Sequence, residues 1–377
     1  MEFSKLGILP NIVKKLESKG YKTAYPIQEQ AIPSILAGKD VMGIAQTGSG
    51  KTLSFAIPTL MNIDGRTSKK NRHIDVLVLV PTRELAIQIL EVYKDLEPAL
   101  PTRLNTLAVY GGVSINPQMQ SLQHVNVLIA TPGRLLDLVS KNALSLTDVQ
   151  TLVMDEADKL FNLGFQEELE NILKLLPKKR QNLLFSATLS PKVEDMQSGL
   201  LMDPVVVNVA PAKTEVSHIE QVAYMMTEEQ KGPTLRQLIT DFEMNSVLIF
   251  TSSTHKTERV AGKLQKNGIK ARAVHGKKSQ GNRNESLNMF KAGKVTALVT
   301  TDLLGRGIHI DDLPYVINYE LPRSPKDYIH RIGRTGRAEK SGRAITFITA
   351  EDEPHFYTIQ KKMGQRVKII DINKIEE

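Results

Sequence analysis

The chain has 377 residues, 41% of them hydrophobic and 24% charged, which is enough for two domains with cores of their own. It contains no cysteine, which excludes disulfides and thiolate zinc sites, and no apolar run approaches the length of a membrane span. The net charge of +8 is lopsided: 22 basic against 21 acidic residues over 1–210, then 27 against 20 over 211–377. A basic surplus carried by one half points to a polyanionic partner, nucleic acid above all.

The opening "MEFSKLGILPNIVKKLESKGY" lacks a basic segment followed by an apolar core, so no secretory signal is expected and the location is taken as cytoplasmic. Short β-branched runs then recur: "DVMGIA", "DVLVLV", "NVLIA", "TLVM", "NLLF" and "VVVNV", and later "VLIF", "ALVT", "YVIN" and "AITFI". Runs of this length suit strands buried on both faces. Between them, stretches such as "TRELAIQILEVYKDLE" and "TERVAGKLQKNG" have helical periodicity. Alternating strand and helix predicts an α/β fold, mostly parallel sheets with helices on both faces. The polar "APAKTEVSH" interrupts the alternation, so a linker is expected over 210–217, between domains at 1–209 and 218–377. No short repeat is visible.

"AQTGSGKT" follows the first apolar strand and precedes the periodic "LSFAIPTL". That is the setting of a P-loop: backbone N–H groups of Gln46, Thr47, Gly48, Ser49 and Gly50 wrap phosphates, and a helix N-terminus adds positive potential. Lys51 reaches the β- and γ-phosphates, and the Thr52 hydroxyl is placed for magnesium. The strand "TLVM" delivers Asp155 and Glu156 at its C-terminal end, where ligands bind in open α/β sheets. Asp155 is the second magnesium candidate, and Glu156 the residue that orients or deprotonates an attacking water. No histidine pair has metal-ligand spacing, so no zinc is expected. Near the end, "HRIGRTGR" spaces Arg331, Arg334 and Arg337 three apart with no acid among them. Such a row is either a solvated basic face or an anion site.

With "DEAD" after a P-loop, the chain resembles a DEAD-box ATP-dependent RNA helicase along almost its whole length, and its wording is most similar to the bacterial RhlE-type branch. The resemblance implies two RecA-like domains, ATP and Mg²⁺ as cofactors, and RNA as partner. In "PIQEQAIP", Gln28 matches the residue that reads adenine, and Phe3 upstream matches the aromatic that stacks on it. Pro81, Thr82 and Arg83, Gly111 and Gly112, and Thr131, Pro132, Gly133 and Arg134 match segments that hold the RNA sugar-phosphate. Ser186 and Thr188, with Asp158, match the element coupling ATP to RNA, and His330 is grouped with them. In the second half Gln280, Arg283, Thr301 and Arg306 match RNA contacts, and Gly307 and His309 fall at the nucleotide. His309 stands where the family has an aspartate for the ribose. Glu320 replaces the aspartate of an Asp-x-Pro, and Ala24 and Tyr25 replace the Pro-Thr before Pro26. Arg334 and Arg337 match the family's arginine fingers.

The resemblance also implies cleft closure on ATP and local opening of short duplexes. A monomer is expected, serving RNA-processing or ribosome-assembly proteins, with no membrane association. An RNA clamp or scaffold whose ATPase matters little for unwinding shares the motifs; a DNA-directed P-loop motor is a second alternative, against which "PIQEQAIP" and "DEAD" argue.

Overall fold

Two sheets of seven strands each, with every ladder pairing parallel, account for the apolar runs in a computed structural model that describes residues 1–46, 48–63, 71–209, 219–301, 313–336 and 342–372. The chain divides into two units, Met1–Pro211 and Ala212–Glu377. The expected linker, Thr47, Arg306, Gly307, His309, Arg337 and the side chain of Gln280 lie outside the described residues.

In the first unit the strands are β1 (Val41–Ile44), β2 (Val76–Leu79), β3 (Thr106–Val109), β4 (Val127–Ala130), β5 (Thr151–Met154), β6 (Gln181–Ser186) and β7 (Val205–Asn208). Their spatial order is β3-β4-β2-β5-β6-β1-β7. The helices are α1 (Pro10–Ser18), α2 (Pro26–Leu36), α3 (Lys51–Ile63), α4 (Arg83–Leu96), α5 (Ile115–Gln120), α6 (Pro132–Ser140), α7 (Ala157–Asn162), α8 (Gln166–Leu175) and α9 (Pro191–Leu200).

The period-2 geometry of a strand explains why these runs are apolar throughout. Val76 and Val78 of β2 point into one core with Phe55, Ala86 and Ile89 from α3 and α4. Leu77 and Leu79 point into the opposite core with Leu135 of α6 and Leu169 of α8. Both faces are covered, so neither set of side chains can be polar.

The second unit has β8 (Ile219–Met225), β9 (Val247–Thr251), β10 (Ala271–Val274), β11 (Ala297–Thr301), β12 (Tyr315–Asn318), β13 (Gly342–Ile348) and β14 (Lys368–Asp371). The described helices are α10 (Glu228–Asp241), α11 (Thr254–Lys266), α12 (Gln280–Lys291), α13 (Pro325–Ile332) and α14 (Glu353–Met363). Its strand order, β10-β11-β9-β12-β13-β8-β14, is that of the first unit with every strand number raised by seven. The same winding therefore occurs twice, although no repeat shows in the sequence. Among the described residues no helix is long and apolar enough to cross a membrane.

Candidate active site

The strand order decides what meets at the C-terminal sheet edge of the first unit. β6 lies between β5 and β1, so the loops after these three strands are neighbours. They carry the phosphate-loop sequence, the acidic quartet and the Ser186–Thr188 segment.

The loop after β1 turns through Gly48 and Gly50, with φ of 88° and 84°, and opens directly into α3 at Lys51. Its geometry is braced from α2. The Gln28 amide donates to the Gly50 carbonyl at 3.0 Å, and its Oε1 accepts from the Tyr25 N–H at 2.8 Å. A Cβ at Gly50 would lie 2.3 Å from Gln28 Nε2 and 2.9 Å from the Tyr25 ring, so glycine is required there by space as well as by φ. The Ser49 hydroxyl donates to Gln46 O at 2.7 Å.

Lys51 is buried, and its ammonium donates to Ala45 O at 2.6 Å. Burial lowers its pKa, while Asp155, Glu156 and Asp158 pull the other way. Asp155, also buried, is pushed up to about 6 by burial, with Lys51 opposing and Glu156 adding to the rise. A buried carboxyl so poorly compensated by protein is suited to a cation. Among the described residues no cluster of three or more acidic or histidine side chains forms a metal cage. Magnesium takes one or two carboxylates together with water and phosphate oxygens, and Asp155 is a donor of that kind.

Glu156 has φ 52° and ψ 47°, a left-handed conformation that costs a residue with a side chain about 1–3 kcal/mol. The bend redirects the chain from β5 into α7. Asp158 on α7 accepts a hydrogen bond from the Thr188 hydroxyl at 2.9 Å, and the Ser186 hydroxyl donates to Thr188 O at 2.7 Å. The acidic quartet and the segment after β6 are thus one hydrogen-bonded unit.

Phe3 is a correction. Expected beside adenine, it is 2% exposed and belongs to the core. A short bridge between Glu2 and Thr23 and the Ala24 N–H to Met1 O bond pin the N-terminus alongside this segment, with Phe3 turned inward. A ring with no exposed face has nothing to stack on. The exposed rings of that segment are Tyr21 and, next to Gly50, Tyr25, which is 52% exposed.

The other half of the same sheet edge belongs to β3, β4 and β2, which are again neighbours. Pro81, Thr82 and Arg83 follow β2, with Thr82 capping α4 by accepting from the Leu85 N–H at 3.3 Å. Gly111 and Gly112 follow β3. Thr131, Pro132, Gly133 and Arg134 follow β4 and open α6. Arg83 is wedged against Gly112: a Cβ there would sit 2.0 Å from its guanidinium, at a φ of 77°. Arg134 is buried and donates to Val113 O at 2.8 Å, so it holds the glycine loop from beneath. Gly112→Ala is expected to displace Arg83 and weaken RNA binding at least about ten-fold, with ATP binding unchanged; fluorescence anisotropy on a labelled RNA measures it. Tyr110 and Gln118 escaped sequence reading. Gln118 clasps both the Tyr110 N–H, at 3.1 Å, and its carbonyl, at 3.2 Å, fixing the base of the glycine loop. The aromatic before the glycine pair was the available signal.

In the second unit Arg283, on the first turn of α12, is buried, and Thr301 ends β11. The arginine row is not a solvated face over its described part. Arg331 is 2% exposed: it donates to Asn318 Oδ1 at 3.1 Å and Glu320 O at 2.6 Å, and sits 5.0 Å from the Phe250 ring centroid. Arg334, 4% exposed, follows in the turn after α13, where its carbonyl accepts from the Leu313 N–H at 3.1 Å. His330, on the last turn of α13, is half-buried. Glu320 accepts from the Ser252 N–H at 2.7 Å and hydroxyl at 2.8 Å, and pairs with Lys256. Burial works to raise the Glu320 carboxyl, but these partners outweigh it and hold it below the usual carboxylate range.

A glycine-rich loop opening a helix at Lys51, faced by buried carboxylates two strands away across β6, defines a P-loop nucleotide hydrolase. The DEAD/DEAH box helicase model matches residues 25–196 and the helicase conserved C-terminal domain matches residues 230–339. The ATP-dependent RNA helicase CshA of Limosilactobacillus reuteri is 37% identical over 362 residues, 96% of this chain and 72% of that protein. The ATP-dependent rRNA helicase rrp3 of Sclerotinia sclerotiorum is 40% identical over 367 residues, 97% and 75% of the two chains. Among solved structures, S. cerevisiae Dbp5 bound to RNA and ADP BeF3 is similar with a TM-score of 0.86 at 28% identity, over 100% of this chain and 97% of that one. The chain belongs to the DEAD-box family of ATP-dependent RNA helicases.

Proposed function

We infer that this helicase grips RNA through phosphates and 2′-hydroxyls with little sequence preference, opens short duplexes locally, and uses ATP as the switch between gripping and release. The support is the split of one sheet edge. The β5-β6-β1 half carries the phosphate loop and carboxylates, the β3-β4-β2 half carries the glycine loop with Arg83, and Asp158 and Thr188 tie the acidic quartet to the segment after β6. Lys51 trades the Ala45 carbonyl for phosphate oxygens, the N–H groups of the loop hold the remaining oxygens, and Gln28 keeps Gly50 in place. Tyr21 and Tyr25 are the rings of the N-terminal segment with a face to offer a base. Thr52 and Asp155 would hold magnesium, which supplies neutralisation of the β- and γ-phosphate charge. Glu156 orients and deprotonates the attacking water. Arg83, Thr131 and the Gly111–Gly112 loop contact the RNA backbone, and Arg134 holds that loop. Gln280, Arg283, Thr301 and Arg306 extend the RNA path on the second domain, and Gly307 and His309 face the nucleotide.

Arg334 and Arg337 act on the γ-phosphate when ATP draws the domains together, and Asp158, Ser186, Thr188 and His330 relay that state to RNA. A RhlE-type monomer working in the cytoplasm on RNA-processing or ribosome-assembly complexes fits the same reading. Strand displacement tests it. A short RNA duplex should open with ATP, and a DNA duplex of the same sequence should not. ATPase stimulated equally by DNA, or a protein that clamps RNA without displacing a strand, would overturn it.

A further inference from the structure

The acidic quartet is followed at once by Lys159, a residue the mechanism above does not use. Because Glu156 is left-handed and α7 starts at Ala157, Lys159 falls on the first helical turn, three residues on and facing back. Its ammonium lies 2.5 Å from Glu156 Oε1, and both residues are buried. The Lys159 N–H also donates to the Glu156 carbonyl at 2.8 Å. The other carboxylate oxygen, Glu156 Oε2, is buried and has no hydrogen-bond partner among the described residues. One oxygen is therefore pinned, and the other is left without a protein partner among the described residues.

We propose that Lys159 is a positioning residue for hydrolysis: it fixes the Glu156 carboxylate by Oε1, so that Oε2 is the oxygen offered to the attacking water. Two buried lysines then divide the work. Lys51 serves the phosphate loop through the Ala45 carbonyl, whereas Lys159 serves the carboxylate. A carboxylate free to rotate about its last torsions would present either oxygen, or neither, in the line of attack. A carboxylate anchored at one oxygen has its second oxygen placed by the backbone of α7. This rests on the reading of Glu156 as the residue that positions water.

The test is single-turnover hydrolysis at saturating ATP and RNA, with equilibrium binding of a fluorescent ATP analogue and thermal melting on each variant. Lys159→Met should lower the hydrolysis rate by about 10²-fold, the loss expected when a reacting group is displaced by about 1 Å. Nucleotide affinity should stay within about two-fold, and Lys159→Arg should restore the rate to within about ten-fold of wild type. In a Glu156→Gln background, Lys159→Met should cause no further loss, since the two residues act as one unit. Wild-type turnover in Lys159→Met overturns the proposal, as does an unchanged further loss in the double variant. If Lys159→Met fails to fold, Lys159→Gln carries the same test, and unfolding of both would make the residue structural and overturn it. The two readings separate cleanly. Normal turnover in Glu156→Gln alone removes the role of Glu156, whereas a stalled Glu156→Gln beside a normal Lys159→Met removes only that of Lys159.

Discussion

Arg334→Lys should slow single-turnover ATP hydrolysis in the presence of RNA by about 10³-fold or more, the scale of a lost arginine finger, or about 4 kcal/mol of barrier. The loose transition state spreads charge over the equatorial oxygens of the transferred phosphoryl group, and a planar guanidinium offers paired donors to that charge. Lysine keeps the charge but replaces the fork with a point donor. ATP affinity of the full chain should change little, because Lys51 and its loop lie in the other unit. Arg331→Lys makes the contrast. Its guanidinium is spent on Asn318, the Glu320 carbonyl and the Phe250 ring, so its loss should appear in the melting temperature. Wild-type hydrolysis in Arg334→Lys would remove it from the transition state.

Glu156→Gln should leave ATP binding intact and cut turnover by about 10²–10⁴-fold, the range for removing a general base. The isosteric amide preserves the left-handed turn and can still meet Lys159 through its oxygen, but it cannot take a proton from water. ATP and RNA should then be retained together, which filter binding with labelled RNA and ATP detects. Lys51→Ala should behave oppositely, with ATP binding itself weakened. A Glu156→Gln protein that releases RNA as fast as wild type would show that hydrolysis is not the release step.

Much of this was legible in the chain because the relevant signals are local. A phosphate loop needs glycines and a lysine within eight residues, "AQTGSGKT", bracketed by strand and helix. Central strands with both faces buried must be apolar throughout, which made β1, β2, β4, β5, β6, β9, β11, β12 and β13 visible; the run of valines in β7, an edge strand, made it visible as well. Of the strands that stayed hidden, β10 and β14 are edge strands and β8 is the neighbour of one, where solvent on one side admits Arg272, Lys368, Glu220 and Gln221 and breaks the run; the edge strand β3 is only the four-residue run Thr106–Val109, without such an interruption.

Tertiary structure decided what spacing cannot express. Three arginines at equal intervals look alike in sequence, yet Arg331 is a brace because Phe250 of β9, Asn318 of the adjacent β12 and Glu320 just after it come to it. Phe3 matched a stacking aromatic by its distance from Gln28, but burying a phenylalanine is worth about 1.5–3 kcal/mol, and the core beside α2 took it. Gly112 needs to be glycine because of Arg83, a residue from another strand's loop. The doubled winding of the two sheets was invisible for the same reason: topology is set by which apolar faces cover each other, and many different sequences satisfy one pattern of burial. The sequence by itself determined the local chemistry, which short runs of residues carry alone. The partners of each buried charge and ring were decided only by long-range packing, which brings together residues that no local spacing relates.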